Sequence, residues 1–245
     1  MSGTIPVEMK SLLRRELYLI KDTVVICQLL NRPKLKYVIN PPLTDTTLVY
    51  QQVEEIVKQQ NMSPEDKGLV FMILVSNGYT LALLLKCNFY CMTKSVKDSG
   101  DNEQTGAKGF RPASALRSKA VAKWTQEINP VIVVMTAFAM GNDFPHVRFV
   151  ILATIPFDMC SVIQEMGKAG RDRKPAFCYV IPTQTLHLPP GSQNNNLQEH
   201  KAMIDMIWKS NECIQLCLTR YVDRDGGISC CDDAHNWICS CCHAH

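Results

Sequence analysis

Apolar positions along this chain follow two alternating rhythms. Gly68-Leu-Val-Phe-Met-Ile-Leu-Val75, Pro130-Val-Ile-Val-Val-Met-Thr136, Val147-Arg-Phe-Val-Ile151 and Phe177-Cys-Tyr-Val-Ile181 are nearly continuous apolar runs, as strands covered on both faces would be. Between them the apolar residues fall at helical steps. Asp45 is placed to cap a helix whose buried side is Val49, Val53, Ile56 and Val57, and Ser114 to cap one with Leu116, Ala120, Val121 and Trp124 on one side. A short apolar helix is predicted over Tyr79 to Lys86, and a strand over Asn88-Phe-Tyr90. Nearer the start come a helical stretch over residues 11–18, a β-branched run Thr23-Val-Val-Ile26, and a turn at Asn31-Arg-Pro feeding a strand that ends at Ile39. Residues 93–112 and 186–196 are polar and aperiodic, and read as a long loop and a linker. Strands alternating with helices predict an α/β fold with a mainly parallel sheet.

One predicted helix carries two stripes. Met159, Val162, Ile163 and Met166 recur at three- and four-residue steps and form its buried face. Gln164, Lys168 and Arg171 recur at i, i+4 and i+7, so a continuing helix would point an amide and two cations the same way. A solvated basic face is the plain reading of such a stripe; an anion site is the sharper one. In an open parallel sheet, ligands bind beyond the carboxyl ends of the strands. Ala137 to Asp143 leaves one such end and the loop into this helix leaves another, so Asp143 is expected beside the polar stripe on a common rim.

Composition adds little until it is divided along the chain. At 46% hydrophobic and 20% charged it is that of an ordinary soluble protein. No apolar run reaches the roughly 18 residues that span a bilayer, and Lys10, Arg14 and Arg15 interrupt any secretory leader. A soluble intracellular protein with no membrane partner is the expectation. Residues 187–245 hold four Lys/Arg against seven Asp/Glu and sum to −3, whereas residues 1–186 sum to +6, which mildly favours a polyanionic partner for the body. Five of the 12 cysteines are scattered among apolar residues; the other seven crowd between Cys213 and Cys242. Such crowding in an intracellular chain reads as metal ligation. Cys213, Cys230, Cys239 and Cys242, spaced C-x16-C-x8-C-x2-C, form a candidate thiolate cage for Zn²⁺. Cys217, Cys231 and Cys241 are rivals in register, and His235 or His243 can substitute.

Ala137-Phe-Ala-Met-Gly-Asn-Asp-Phe-Pro-His-Val-Arg-Phe-Val-Ile151 followed by Gln164-Glu-Met-Gly-Lys-Ala-Gly-Arg-Asp172 resembles, in order and spacing, the last two helicase motifs of the RecQ family of ATP-dependent DNA helicases. Lys67-Gly-Leu-Val-Phe71 is similar to the strand opening the family's second RecA-like lobe, and Arg117 to Trp124 to the helix before its fifth motif. Gly3 to Lys10 and Asn31-Arg-Pro resemble the segment leaving its first lobe. The resemblance implies a RecA-like three-layer sandwich followed by a small helical zinc-binding subdomain. Its divisions are a remnant of the first lobe and linker at 1–24, the second lobe at 25–186, and a linker with the cysteine-rich subdomain at 187–245.

It also implies a 3′-to-5′ helicase activity on DNA, a nuclear location, and partners in single-stranded or 3′-tailed duplex DNA and a complementing first lobe. ATP and Mg²⁺ would sit between the lobes. Arg171 occupies the place of the arginine finger, with Lys168 and Gln164 as its catalytic neighbours, and Asp143, Gly141, Gly167 and Gly170 fall at nucleotide-binding positions. The Cys213/Cys230/Cys239/Cys242 set corresponds to the family's zinc ligands. The sequence departs from the pattern at several places. Lys168 stands where the family has an arginine, Ala139 replaces a glycine, Met135 a small polar residue and Cys91 a histidine. No G-x-x-x-x-G-K-[ST] loop and no Asp-Glu box occurs in these 245 residues, so this chain alone is expected not to hydrolyse ATP. A non-catalytic module binding nucleic acid or protein is the alternative.

Overall fold

Among the described residues six parallel strands form one sheet, with helices packed on both of its faces. The computed structural model describes residues 9–20, 32–91, 114–126, 129–139, 143–156, 158–183, 197–209, 212–223, 230–231 and 238–243. In chain order they give α1 (Met9–Glu16), β1 (Leu35–Ile39), α2 (Thr46–Gln59), β2 (Lys67–Phe71), α3 (Val75–Leu84), β3 (Asn88–Tyr90), α4 (Ser114–Gln126) and β4 (Val131–Val134). There follow β5 (Val147–Leu152), α5 (Met159–Met166), β6 (Ala176–Val180), α6 (Leu197–Ile204), α7 (Ile214–Val222) and α8 (Ser240–His243). The strand order is β1-β6-β5-β2-β4-β3 with all pairs parallel. The expected strand at 23–26, the loop at 93–112 and the linker at 186–196 lie outside the described residues.

The central strands β2 and β4 are buried along their whole length, because helices cover both faces. On one face α2 and α3 set Val49, Val53, Ile56, Leu81 and Ala82 against Val70, Val133, Phe149 and Ile151. On the other, Trp124 of α4, Met159, Val162 and Met166 of α5, and Met203, Ile214 and Leu218 of the C-terminal helices meet Leu69, Phe71, Ile132 and Val150. The α2 stripe is the expected one, and Asp45 caps that helix by accepting from the Thr47 amide at 3.1 Å. Among the described residues no helix is long and apolar enough to cross a membrane.

The apolar run from Gly68 to Val75 is not all strand. β2 ends at Phe71 because the next free amide, that of Ile73, donates to Thr154 Oγ1 at 2.9 Å rather than to a strand. Helix α3 therefore starts at Val75, earlier than the expected Tyr79. Two departures from the family pattern also meet here: the Cys91 thiol lies 3.3 Å from the Met135 sulfur, one polarisable group filling the space beside another.

Gly68 has a steric task. A Cβ at this position would lie 2.0 Å from Cζ of Phe149, a fully buried ring with nowhere to retreat. Gly68→Ala is expected to lower stability by about 1–3 kcal/mol through overpacking, read as a shift in the urea unfolding midpoint; an unchanged midpoint would show that the sheet can adjust.

Candidate functional site

Helix α5 is short because both its ends are specified. Asp158 caps it, accepting from the Ser161 amide at 2.7 Å and from the Ser161 hydroxyl at 3.0 Å. Its apolar stripe is buried as the spacing predicts. The helix stops at Met166, and the chain tightens through successive i−3 hydrogen bonds from Lys168 and Ala169 before reversing at Gly170, whose φ is +56°. That reversal is held from three directions. The Gly170 amide donates to the Val147 carbonyl at 2.8 Å. The Arg32 guanidinium donates to the Ala169 and Gly170 carbonyls, both at 2.8 Å. A Cβ on Gly170 would stand 2.8 Å from the Lys174 carbonyl oxygen, so the left-handed turn is a glycine position on both conformational and steric grounds.

The expected continuous face of Gln164, Lys168 and Arg171 is corrected accordingly. Gln164 is half-buried in the last turn of α5, Lys168 is folded into the protein with 3% of its surface exposed, and Arg171 emerges only after the reversal. The common rim is corrected as well. Residue 170 bonds to the first residue of β5, and Asp143 lies four residues before that strand, so the two motifs meet at the amino end of β5. They do meet: Arg171 Nη1 donates to Asp143 Oδ1 at 2.8 Å. Asp143 is held there by its neighbour. Phe144 packs edge-to-face on Trp124 at 4.8 Å and stacks on Phe138 at 5.9 Å. Gly141 lies outside the described residues, as does the side chain of Ala139.

Burial, reinforced by the neighbouring Arg171 charge and opposed by Asp143, lowers the Lys168 pKa to about 8. The site thus concentrates two cations against one carboxylate. Behind it, Arg148 binds the Asp172 carboxylate and donates to the Pro145 and Pro175 carbonyls, with its Nε 3.1 Å from Asp66. The Asp172 carboxyl is held below its usual range, because these bonds to Arg148 and the Lys174 amide outweigh its partial burial.

Glu165 lies on the apolar side of α5, three residues after Val162. It is 1% exposed with Oε1 lacking a partner, and it shares a hydrogen bond with Thr136 in the turn after β4. Burial, with Asp158 adding to it, raises its pKa to about 8 despite that bond. Glu165 is therefore a neutral acid in most of the working pH range, joining the two motif segments.

In the tail, the sulfurs of Cys213, Cys231, Cys239 and Cys242 all lie within 4.8 Å of one another. Cys213 to Cys231 is 3.2 Å and Cys239 to Cys213 is 3.9 Å. The expected set is corrected at one position: Cys231, not Cys230, completes it. At the 230–231 turn the buried side goes to Cys231, whose amide also donates to Cys213 Sγ at 3.3 Å. Cys230 is turned outward, 4.0 Å from Cys242. The sulfurs of Cys213 and Cys231 beside it hold the Cys239 thiol well below its usual range, and the amides of Cys242 and Ile214 add to this. His235 and the side chain of His243 are outside the described residues.

Comparisons with known proteins bear on the domain rather than on its single side chains. Residues 108–173 match the helicase conserved C-terminal domain, a stretch that ends just after the Gly170 reversal. The chain is 40% identical over 89 residues to a putative ATP-dependent DNA helicase Q1 of Caenorhabditis briggsae, covering 36% of this chain and 14% of that protein. It is 27% identical over 151 residues to the RecQ-like DNA helicase blm-1 of Caenorhabditis elegans, covering 61% of this chain and 13% of that one. The chain thus carries a helicase C-terminal domain similar to that of RecQ-like DNA helicases, and it spans only about an eighth of the length of the two relatives named. The RecA-like fold of this domain is shared with Dbp5 of S. cerevisiae, solved bound to RNA and ADP BeF3, at a TM-score of 0.56 and 11% identity over 83% of this chain and 47% of that one.

Within the RecQ-like domain, sequence reasoning missed Arg32, Glu165 and the preference for Cys231. Arg32 lies in the Asn31-Arg-Pro stretch that carries part of the resemblance, but nothing in that stretch points to carbonyls some 137 residues away. Glu165 did leave a signal, a carboxyl placed on an apolar stripe.

Glu165 also gives a pH dependence. Its folded pKa lies above its unfolded value, so its contribution to stability is complete below about 4.5 and is lost as pH rises towards about 8. Glu165→Gln is expected to flatten this decline between those pH values in thermal unfolding; an identical slope in both proteins would mean that Glu165 titrates normally.

Proposed function

We propose that this chain works as the second RecA-like lobe of an ATP-dependent 3′-to-5′ DNA helicase, with Arg171 as its arginine finger. The observation that carries the reading is the ion pair of Arg171 with Asp143, the latter 76% exposed, standing where two helicase motifs converge. An exposed pair of this kind is worth little to stability. Its value lies in aiming a planar guanidinium outward while a carboxylate keeps it from collapsing onto the surface. ATP and Mg²⁺ supply the phosphoryl group and its counter-charge when a first lobe cradles them. Arg171 then presents its N–H groups to an oxygen gaining charge, Lys168 adds positive potential from behind, and Gln164 is left to the inner side of the cleft. Lys168 replaces an arginine, and its burial explains why a single-point cation suffices there. With DNA as the partner, single-stranded or 3′-tailed, the place of work is the nucleus.

The tail is read as a zinc centre. Zinc bound tetrahedrally by sulfur at about 2.3 Å sets the sulfurs about 3.8 Å apart, and the separations of 3.2 and 3.9 Å bracket that spacing. Cys213, Cys231, Cys239 and Cys242 would hold the ion, whose role is to close the cage. Its fold-level purpose follows from Ser240, whose hydroxyl accepts from the Ile39 amide at 3.0 Å and so ties the cage to the edge strand β1.

Two outcomes are expected. Mixed with a separately produced first lobe, this chain should support DNA-stimulated ATP hydrolysis that Arg171→Ala lowers by about 10³-fold. Equal rates would remove Arg171 from the chemistry, and no stimulation with either protein would favour a binding module instead. In metal analysis of reduced protein, the chain and its Cys230→Ser variant should each carry about one zinc, and Cys231→Ser much less; the reverse order of the two variants would restore Cys230 as the ligand.

A further inference from the structure

The cysteine cluster holds one more nearby sulfur than a tetrahedral cage can use. Cys230 Sγ lies 4.0 Å from Cys242 Sγ, outside the close set of four. The two sulfurs also share an environment. Cys213, Cys231 and Cys239 are buried, whereas Cys242 is the half-buried member of the cage and Cys230 is half-buried beside it. A small oxidant arriving from solvent therefore meets Cys242 and Cys230 before the other ligands. Cys241 is half-buried as well, but its Cα is about 3.8 Å from that of the adjacent Cys242, below the roughly 4.4–6.8 Å that disulfides prefer. Cys230 has no such obstacle.

We propose that Cys230 and Cys242 form a peroxide-responsive thiol pair, whose disulfide takes one ligand out of the cage and opens it. The proposal rests on the zinc reading above. In the first step the Cys242 thiolate attacks one oxygen of hydrogen peroxide, the O–O bond breaks, and a sulfenic acid and hydroxide result. In the second, Cys230 attacks that sulfur; an S–S bond forms, the S–O bond breaks, and the hydroxyl leaves as water with the Cys230 proton. The two thiols lose two electrons and the peroxide gains them. Three sulfurs remain, fewer than a closed structural zinc site uses. The tie from Ser240 to the edge of β1 lies two residues from the lost ligand, so opening the cage loosens the tail from the helicase lobe. A thiol reductant reverses the bond and restores the fourth ligand.

The test uses the whole 245-residue chain, reduced, loaded with zinc and assayed first for metal content. Hydrogen peroxide is then added, zinc release is followed with a chromogenic chelator, and disulfides are mapped by mass spectrometry. A Cys230–Cys242 cross-link should appear in step with zinc release, and dithiothreitol should reverse both. Cys230→Ser should carry the same zinc and release it at least about tenfold more slowly. Zinc loss without that cross-link, or release from Cys230→Ser at the unmodified rate, overturns the proposal while leaving the cage intact. A reduced protein that holds no zinc overturns the cage and the thiol pair together.

Discussion

The polar end of this lobe depends on a chain reversal at Gly170. The backbone there takes a left-handed conformation, gives its amide to the first residue of β5, and passes its carbonyl, with that of Ala169, to Arg32. Those ties join the approach to β1, the start of β5 and the end of α5, three places far apart in sequence. A backbone carbonyl at a helix end is an orphan acceptor, and an arginine fork satisfies two of them at once while it fixes direction. Arg148 acts similarly two strands over, on β5 between Asp66 and Asp172. The turn that carries Arg171 is therefore braced by Arg32 and Arg148.

The cysteine-rich tail is continuous with the lobe rather than appended to it. Cys213, Ile214, Leu218, Cys231 and Cys239 belong to the same apolar core as Leu35, Tyr37, Cys178 and Val180. Tyr37 of β1 is buried among these sulfurs, and burial pushes its hydroxyl far above its usual range, with the Cys178 thiol adding to the effect. β1 is an edge strand, and an uncovered edge invites pairing with other chains. Helix α8 and Ser240 cover part of it, so the sulfur cluster and the cover of the sheet edge belong to the same short segment.

Departures from the family pattern have local partners. Cys91 and Met135 replace a histidine and a small polar residue, and touch each other in the core. Lys168 replaces an arginine and is pulled inward, its charge opposed by desolvation and by Arg171. The long stem and compact ammonium of lysine permit this retreat, which a rigid guanidinium resists.

The sequence by itself determined the parallel α/β class, most strand and helix positions, the approach of Asp143 to the segment that carries Arg171, and the clustering of sulfur in the tail. These follow from periodicity and from side-chain chemistry, which are local properties. It did not determine where α5 ends, since Gln164, Lys168 and Arg171 fit a helical period equally well whether or not the helix continues. Only the hydrogen bond from Gly170 to Val147, and Arg32 arriving from β1, decide that the chain reverses there. Nor did it decide between Cys230 and Cys231. Adjacent residues have the same chemistry and nearly the same spacing to every partner, and the choice falls to which one faces the shared core once the tail has packed against β1.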